Sequence, residues 1–136
     1  MAKARIIPRG IRNCNPLNIR IGNTWLGERP NPDDNEFEQF VSMVYGLRAG
    51  FIILRRYIRR YQLDNVQLIL SRWAPRSEND TAAYVDIVCK VSGIPPQLRI
   101  DFADEDTMVA LVDAMVFVEC GQHVPMATII EAYRKA

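Results

Sequence analysis

The sequence runs to 136 residues, of which 49% are apolar, 24% charged and 9% aromatic, as in one folded globular domain and unlike a disordered or fibrous chain. At this length folding buries roughly two thirds of the unfolded surface, enough for a core without metal or disulfide staples. The longest apolar stretch, Met108 to Val118, is too short for a membrane span and is interrupted by Asp113. The basic start Met-Ala-Lys-Ala-Arg-Ile-Ile-Pro-Arg-Gly also lacks the apolar centre and cleavage site of a secretory signal.

In chain order, residues 1–9 read as an N-terminal extension and residues 10–136 as a single domain. Gly10 to Asp34 is dense in Asn, Gly and Pro, which predicts structured turns. Ile19 to Trp25 and Glu36 to Phe40 read as the strands of a small hairpin joined across Gly27 to Asn35. From Val44 to Tyr61 the apolar residues recur at three- and four-residue steps, as in a core helix. Asp64 is placed to cap a short helix that ends near Trp73, stopped by Ala74-Pro75. Glu78-Asn79-Asp80-Thr81 offers caps for a helix over Ala82 to Val91, closed by Gly93. The acidic run Asp104-Glu105-Asp106 precedes a helix through Met108, Leu111, Val112, Met115 and Val116 to Glu119, with Gly121 as its C-terminal cap. A last helix runs from Pro125 to about Arg134. The predicted class is α+β, mainly helical, with one small β element.

Three cysteines, Cys14, Cys89 and Cys120, cannot all pair within one chain, and none has metal-ligand spacing. The expectation is three free, mostly buried thiols, with no metal and no cofactor. The single histidine, His123, reads as a surface or capping residue. Charge is unevenly distributed: residues 1–60 carry 11 Lys/Arg against 5 Asp/Glu, and residues 61–136 carry 6 against 11. Much of the basic half lies in Arg55, Arg56, Arg59 and Arg60, with Tyr57 and Tyr61 interleaved. Such a run suits a solvated helix face with arginine stems over the core, or else a surface for a polyanion such as nucleic acid, teichoic acid or anionic lipid.

Two constellations carry chemistry. Glu119 stands four residues after Met115 and so continues an apolar helical stripe instead of leaving it. Desolvation there, and the partial negative charge of the helix C-terminus, both disfavour an ionised carboxyl, as a general acid requires; a solvent-turned or arginine-paired glutamate is the structural alternative. The second constellation is the turn-rich block Gly10-Ile11-Arg12-Asn13-Cys14-Asn15-Pro16-Leu17-Asn18-Ile19-Arg20. Its three asparagine amides can pin turns or grip a ligand's hydroxyl and acetamido groups.

Gly10 to Arg20, with Trp25-Leu26-Gly27, Phe37-Glu38-Gln39-Phe40, Gly46-Leu47-Arg48-Ala49, Trp73-Ala74-Pro75, Glu78-Asn79-Asp80-Thr81 and Tyr84, resembles phage and prophage proteins of the lysozyme-like superfamily. In that group the first block usually reads Gly-Ile-Arg-Asn-Asn-Asn-Pro-Gly-Asn-Ile-Arg, so this chain departs with Cys14 and Leu17. The early blocks are also similar to peptidoglycan glucosaminidases, whose catalytic glutamate ends a helix ahead of the Asn-rich turn. Here 12 residues precede Asn13 and none is acidic. Phe117-Val118-Glu119-Cys120-Gly121, however, resembles the Glu-Ser-Gly helix end that carries the acid in lytic transglycosylases. With the chain order circularly permuted, the acid helix and the Asn-rich turn would meet in one lysozyme-like site.

The resemblance implies cleavage of the glycan strand of peptidoglycan by a muramidase, glucosaminidase or lytic transglycosylase, with Glu119 as general acid. Asn13, Asn15, Asn18, Trp25, Glu78 and Tyr84 would bind the sugar. Glu28, Asp33, Asp34, Glu36 and Glu38 are candidates for a second carboxylate; if none serves, the substrate's own acetamido or hydroxyl group would act. The implied setting is a protein made in the bacterial cytoplasm that reaches the cell wall or periplasm after release or delivery, or that is carried in a virion, with a virion or secretion-apparatus partner. Two other classes stay open: a catalytically inactive virion or effector part of the same fold, and a basic module for nucleic acid, for which no specific recognition motif is found.

Overall fold

The computed structural model describes residues 6–136; the first five residues of the expected N-terminal extension lie outside the described residues. Six helices are present in that range: α1 Arg9–Arg12, α2 Met43–Tyr61, α3 Val66–Trp73, α4 Thr81–Ser92, α5 Glu105–Cys120 and α6 Met126–Lys135. The domain is mainly helical, as the periodicity predicts.

Helix α5 is apolar around most of its circumference, so it forms the centre. Leu111, Val112, Ala114, Met115 and Val116 are wholly buried, and α1, α4 and α6 pack around them. Helices α2 and α6 form the largest helix pair and α3 joins through α4. The predicted punctuation holds at most ends. Asp80 and Asp104 accept backbone N–H bonds at the starts of α4 and α5, and Gly93 and Gly121 close those helices at φ +76° and +69°. At α3 the cap is Asn65 rather than Asp64: the Asn65 side chain takes the Leu68 N–H. The Asp64 carbonyl instead accepts the Ile100 N–H, tying that loop to the segment before α5.

The β element is smaller than predicted. Arg20 pairs antiparallel with Phe37, and Glu28 with Phe40, each as an isolated bridge. Segment 36–41 therefore takes one partner stretch at each end: Ile19–Ile21 through the Ile21 N–H and the Glu36 carbonyl, and Gly27–Arg29 through the Val41 N–H and the Gly27 carbonyl. Between these stretches the chain passes through exposed Gly22-Asn23-Thr24, and beyond them through Pro30 and Pro32, whose ring nitrogens cannot donate to a ladder. A continuous pair of strands cannot propagate across either region.

The Asn-rich block folds as α1 followed by a tight turn, in which Cys14 and Asn18 are both held at φ +52°. Arg9, assigned to the extension from sequence, is already part of the domain: it opens α1 and grips Asp34 with two bonds of 2.7 Å. The turn lies directly on α2. A β-carbon added at Gly46 would stand 1.9 Å from the Cys14 carbonyl oxygen, and one at Gly50 would stand 2.3 Å from Leu17 Cδ1. Leu17 is itself buried, so the side chain where the resembling group carries Gly occupies the space above Gly50.

The three thiols are free, Cys120 buried and Cys14 and Cys89 half-buried. His123 is exposed, hydrogen-bonded to Asp113 at 2.8 Å and stacked on Phe117. On α2, the Arg55 and Arg59 guanidiniums lie over the Phe102 ring and that of Arg60 over Tyr61, as cation–π contacts.

Two opposed effects act at Gly46. Alanine is better than glycine in a helix interior by about 1 kcal/mol, whereas overpacking against an immovable backbone carbonyl costs about 1–3 kcal/mol or more. The clash dominates at 1.9 Å. Gly46→Ala is expected to destabilise the fold by about 2 kcal/mol in denaturant titration, while Gly22→Ala, where a β-carbon meets nothing within 4 Å, stays within about 0.5 kcal/mol of wild type.

Candidate functional site

The end of α5 carries Glu119 to the surface of the core, where it is half-buried and both carboxyl oxygens are engaged. Asn18 Nδ2 donates to Oε1 at 2.9 Å, and the Tyr84 hydroxyl donates to Oε2 at 2.8 Å. Both donors precede Glu119 in the chain, by 101 and 35 residues.

Each donor is fixed by its own surroundings. Asn18 sits in the left-handed region, which asparagine tolerates better than most residues. Its Oδ1 would lie 2.8 Å from a β-carbon at Gly10, so glycine there leaves the amide its room. Cys120, next to Glu119, donates through Sγ to the Pro16 carbonyl at 3.2 Å and so ties the end of α5 to the turn. Burial, and next the charge of Glu119, push that thiol up to about 11. Tyr84 projects from the second turn of α4, whose start is anchored by the Thr81 hydroxyl on the Ala74 carbonyl. Burial first, and then the Glu119 charge, hold the phenol well above the ordinary tyrosine range, so it remains a donor.

This arrangement distinguishes the two carboxyl oxygens. An asparagine Nδ2 can only donate, so it requires Oε1 as an acceptor whether the acid is ionised or protonated. A tyrosine hydroxyl can donate or accept, and Oε2 is thus the atom that can carry a proton without breaking the cluster.

Glu119 opens into a groove of about 250 Å³ lined also by Leu17, Asn18, Arg20, Phe37, Trp73, Ala74, Glu78 and Asn79. Of the residues expected to bind a sugar, Asn18, Glu78 and Tyr84 gather around Glu119. Asn13, Asn15 and Trp25 stand elsewhere. Asn15 is wholly buried; its Nδ2 donates to the Ile19 and Glu38 carbonyls and its Oδ1 accepts the Ile19 N–H, which pins the turn to segment 36–41. Asn13 is also buried, donating to Asp34 and accepting from Gln39. Trp25 packs half-buried against the core away from the groove, with its indole N–H unpartnered among the described residues. Arg20, Phe37 and Asn79 line the groove although periodicity did not single them out; all three do stand in the blocks that carry the resemblance. Trp73 is half-buried, edge-on to Tyr57 at 6.3 Å, with part of its surface on the groove.

None of the expected second carboxylates, Glu28, Asp33, Asp34, Glu36 and Glu38, lines the groove; the carboxylate that shares it with Glu119 is the exposed Glu78, expected from sequence as a sugar-binding residue. Asp34 is held below the usual carboxylate range by the Arg9 guanidinium and by the Phe37 and Glu36 N–H groups, and so serves as an anchor. Glu38 is buried beside Glu28; burial first, and then that neighbouring carboxyl, push it up to about 7. Both line a separate pocket of about 210 Å³ with Ile21, Asn23, Arg29 and Pro32.

No family model matches the sequence. Protein P5 of Pseudoalteromonas phage PM2 is 40% identical over 119 residues, which span 85% of this chain and 72% of that protein.

The acid groups outside the groove predict a pH profile of stability. The folded-state value of Glu38 lies above its ordinary 4.5, so its contribution is complete below that pH and is lost as pH rises to about 7. Asp34, Asp104 and Glu105 are lowered in the fold, so their contributions are lost as pH falls below about 4. Thermal melts are expected to peak near pH ~5, and Glu38→Gln should flatten the decline between pH 4.5 and 7 while leaving the acid limb in place.

Proposed function

The chain belongs to the same family as protein P5 of Pseudoalteromonas phage PM2, and we propose that it cleaves the glycan strand of peptidoglycan with Glu119 as general acid. The observation that carries this reading is the meeting of Glu119 with Asn18 and Tyr84 at one open groove, since it unites the acid helix end with the Asn-rich turn. That convergence favours a lysozyme-like fold in permuted chain order, the arrangement in which a helix-end glutamate from late in the chain faces a turn from early in it.

In the proposed reaction a strand lies along the groove with a glycosidic oxygen at Glu119 Oε2. Asn18 holds Oε1 as an acceptor and so presents the protonated Oε2 to the substrate, which displaces or turns the Tyr84 hydroxyl. Proton transfer to the leaving oxygen accompanies bond breaking through an oxocarbenium-like state. Tyr84 then donates to the carboxylate that forms, stabilising the charge left on the enzyme. Glu78, on the same groove, is placed to steady the developing positive charge or to activate water; the substrate's acetamido or hydroxyl group fills that role if Glu78 lies too far from the sugar carbon.

Delivery within a phage particle is consistent with the phage relative, and among the described residues no helix is long and apolar enough to cross a membrane. Of the α2 arginines, Arg55 and Arg59 are engaged over Phe102 and Arg60 over Tyr61.

Purified protein is expected to release soluble glycan fragments from sacculi, and Glu119→Gln to lower the rate by about 100-fold or more with an unchanged melting curve, because the amide has no acidic proton. Fragment release at the wild-type rate by Glu119→Gln, or none by the wild type, would overturn the reading.

A further inference from the structure

The groove holds both Glu119 and Glu78, and among the described residues Arg20 is the one cationic side chain lining it. Two guanidiniums lie over the Phe37 ring, Arg9 at 4.6 Å and Arg20 at 5.1 Å from its centroid, and they differ in what else they touch. Arg9 is spent within the fold on the two 2.7 Å bonds to Asp34. Arg20 has its nearest carboxylate, Glu36, at 3.9 Å with both side chains more than half exposed, a separation too long for a hydrogen bond. An exposed pair of this kind contributes little and is readily exchanged for a better partner.

Arg20 therefore stands at the groove with its donors open among the described residues and its guanidinium over an aromatic face. A guanidinium so placed suits a carboxylate, which it can meet with two parallel N–H bonds. The backbone on which it sits is also fixed: Arg20 forms the bridge with Phe37, flanked by the Glu38 N–H to Ile19 carbonyl and Ile21 N–H to Glu36 carbonyl bonds, each 3.0 Å. A neutral aminosugar strand gives this cation no partner, whereas a muramyl strand carries carboxylates at its lactyl groups or stem peptides.

We infer that Arg20 is a specificity determinant that binds a carboxylate of the strand and selects acidic muramyl glycan over neutral aminosugar polymers. The inference rests on the proposed function and names the substrate feature that the same groove reads. The carboxylate comes from the lactyl group or the stem peptide, two sources with one chemistry.

The test is calorimetric binding to wild-type protein, Arg20→Ala and Arg20→Lys, each also in the slow-turnover Glu119→Gln background so that bound strands survive. The probes are peptide-free glycan strands with free lactyl carboxylates, the same strands with those carboxylates converted to amides, peptide-bearing strands with the stem carboxylates free, and their amidated counterparts. Arg20→Ala is expected to weaken binding of the carboxylate-bearing strand about 10-fold or more and to leave the matching amidated strand unchanged, as loss of a charge-assisted bond requires. Arg20→Lys, which keeps the charge without the fork, should fall between. The pair of probes that shows the difference identifies the source. Equal affinities of wild type and Arg20→Ala for every strand would overturn the inference while leaving the cleavage reading intact. Failure of the wild-type protein both to bind any strand and to release fragments would remove the cleavage reading and the inference with it. Melting curves distinguish a lost contact from a lost fold.

Discussion

The closest approach that organises this domain is backbone against backbone, where helix α2 meets the Asn-rich turn. At Gly46 there is room for the Cys14 carbonyl and for nothing else, and one helical turn later Gly50 leaves the hollow that Leu17 fills. Everything downstream depends on that seat. The turn can bring Asn18 toward α5 only because its own floor is rigid, and Asn15 completes the clamp from above by holding the Ile19 and Glu38 carbonyls. Helix α5 closes the arrangement from the other side through Cys120 on Pro16. The Glu119 cluster is thus suspended between two contacts made by groups with no chemical role, a glycine and a thiol.

Polar groups divide accordingly into those consumed by the fold and those left for a ligand. Asn13, Asp34 and Gln39 form one connected network, and Asn15 is satisfied separately by the Ile19 and Glu38 backbone, as buried polar groups must be. Asn18, Glu119, Glu78, Asn79 and Arg20 face open space. The three asparagines of one short block, alike in the sequence, therefore have different tasks, decided by which side of the turn each side chain leaves from.

Helices were legible because their signals are local. Periodicity located α2 and α5, capping residues and prolines located α3, α4 and α6, and Asp80, Asp104, Gly93 and Gly121 mark ends by chemistry that acts within a few residues. The expected hairpin reduces to two isolated bridges, because Gly22-Asn23-Thr24 and the prolines interrupt the ladder between them. Asn65 rather than Asp64 caps α3 because adjacent residues with equal capping ability are separated only by which backbone turns into the helix. At the site, Glu119 stood out as a carboxylate on an apolar stripe and Tyr84 through family resemblance. Arg20 and Phe37 stand in the blocks that carry the resemblance but were not singled out, because what places them at the groove is a bridge between distant segments that no periodicity encodes. Helix α1, at four residues, is shorter than the repeat that would reveal it.

The spacing of the donors to Glu119 has a kinetic side. Joining Asn18 to Glu119 closes a segment of 101 residues, against 35 for Tyr84, so the first closure costs about 1 kcal/mol more chain entropy and favours being made second. Where α4 and α5 pair without the early turn, the carboxylate has one donor and no groove. No separated segment of the chain holds the complete cluster, and a partly folded molecule has the acid without the geometry that would direct its proton.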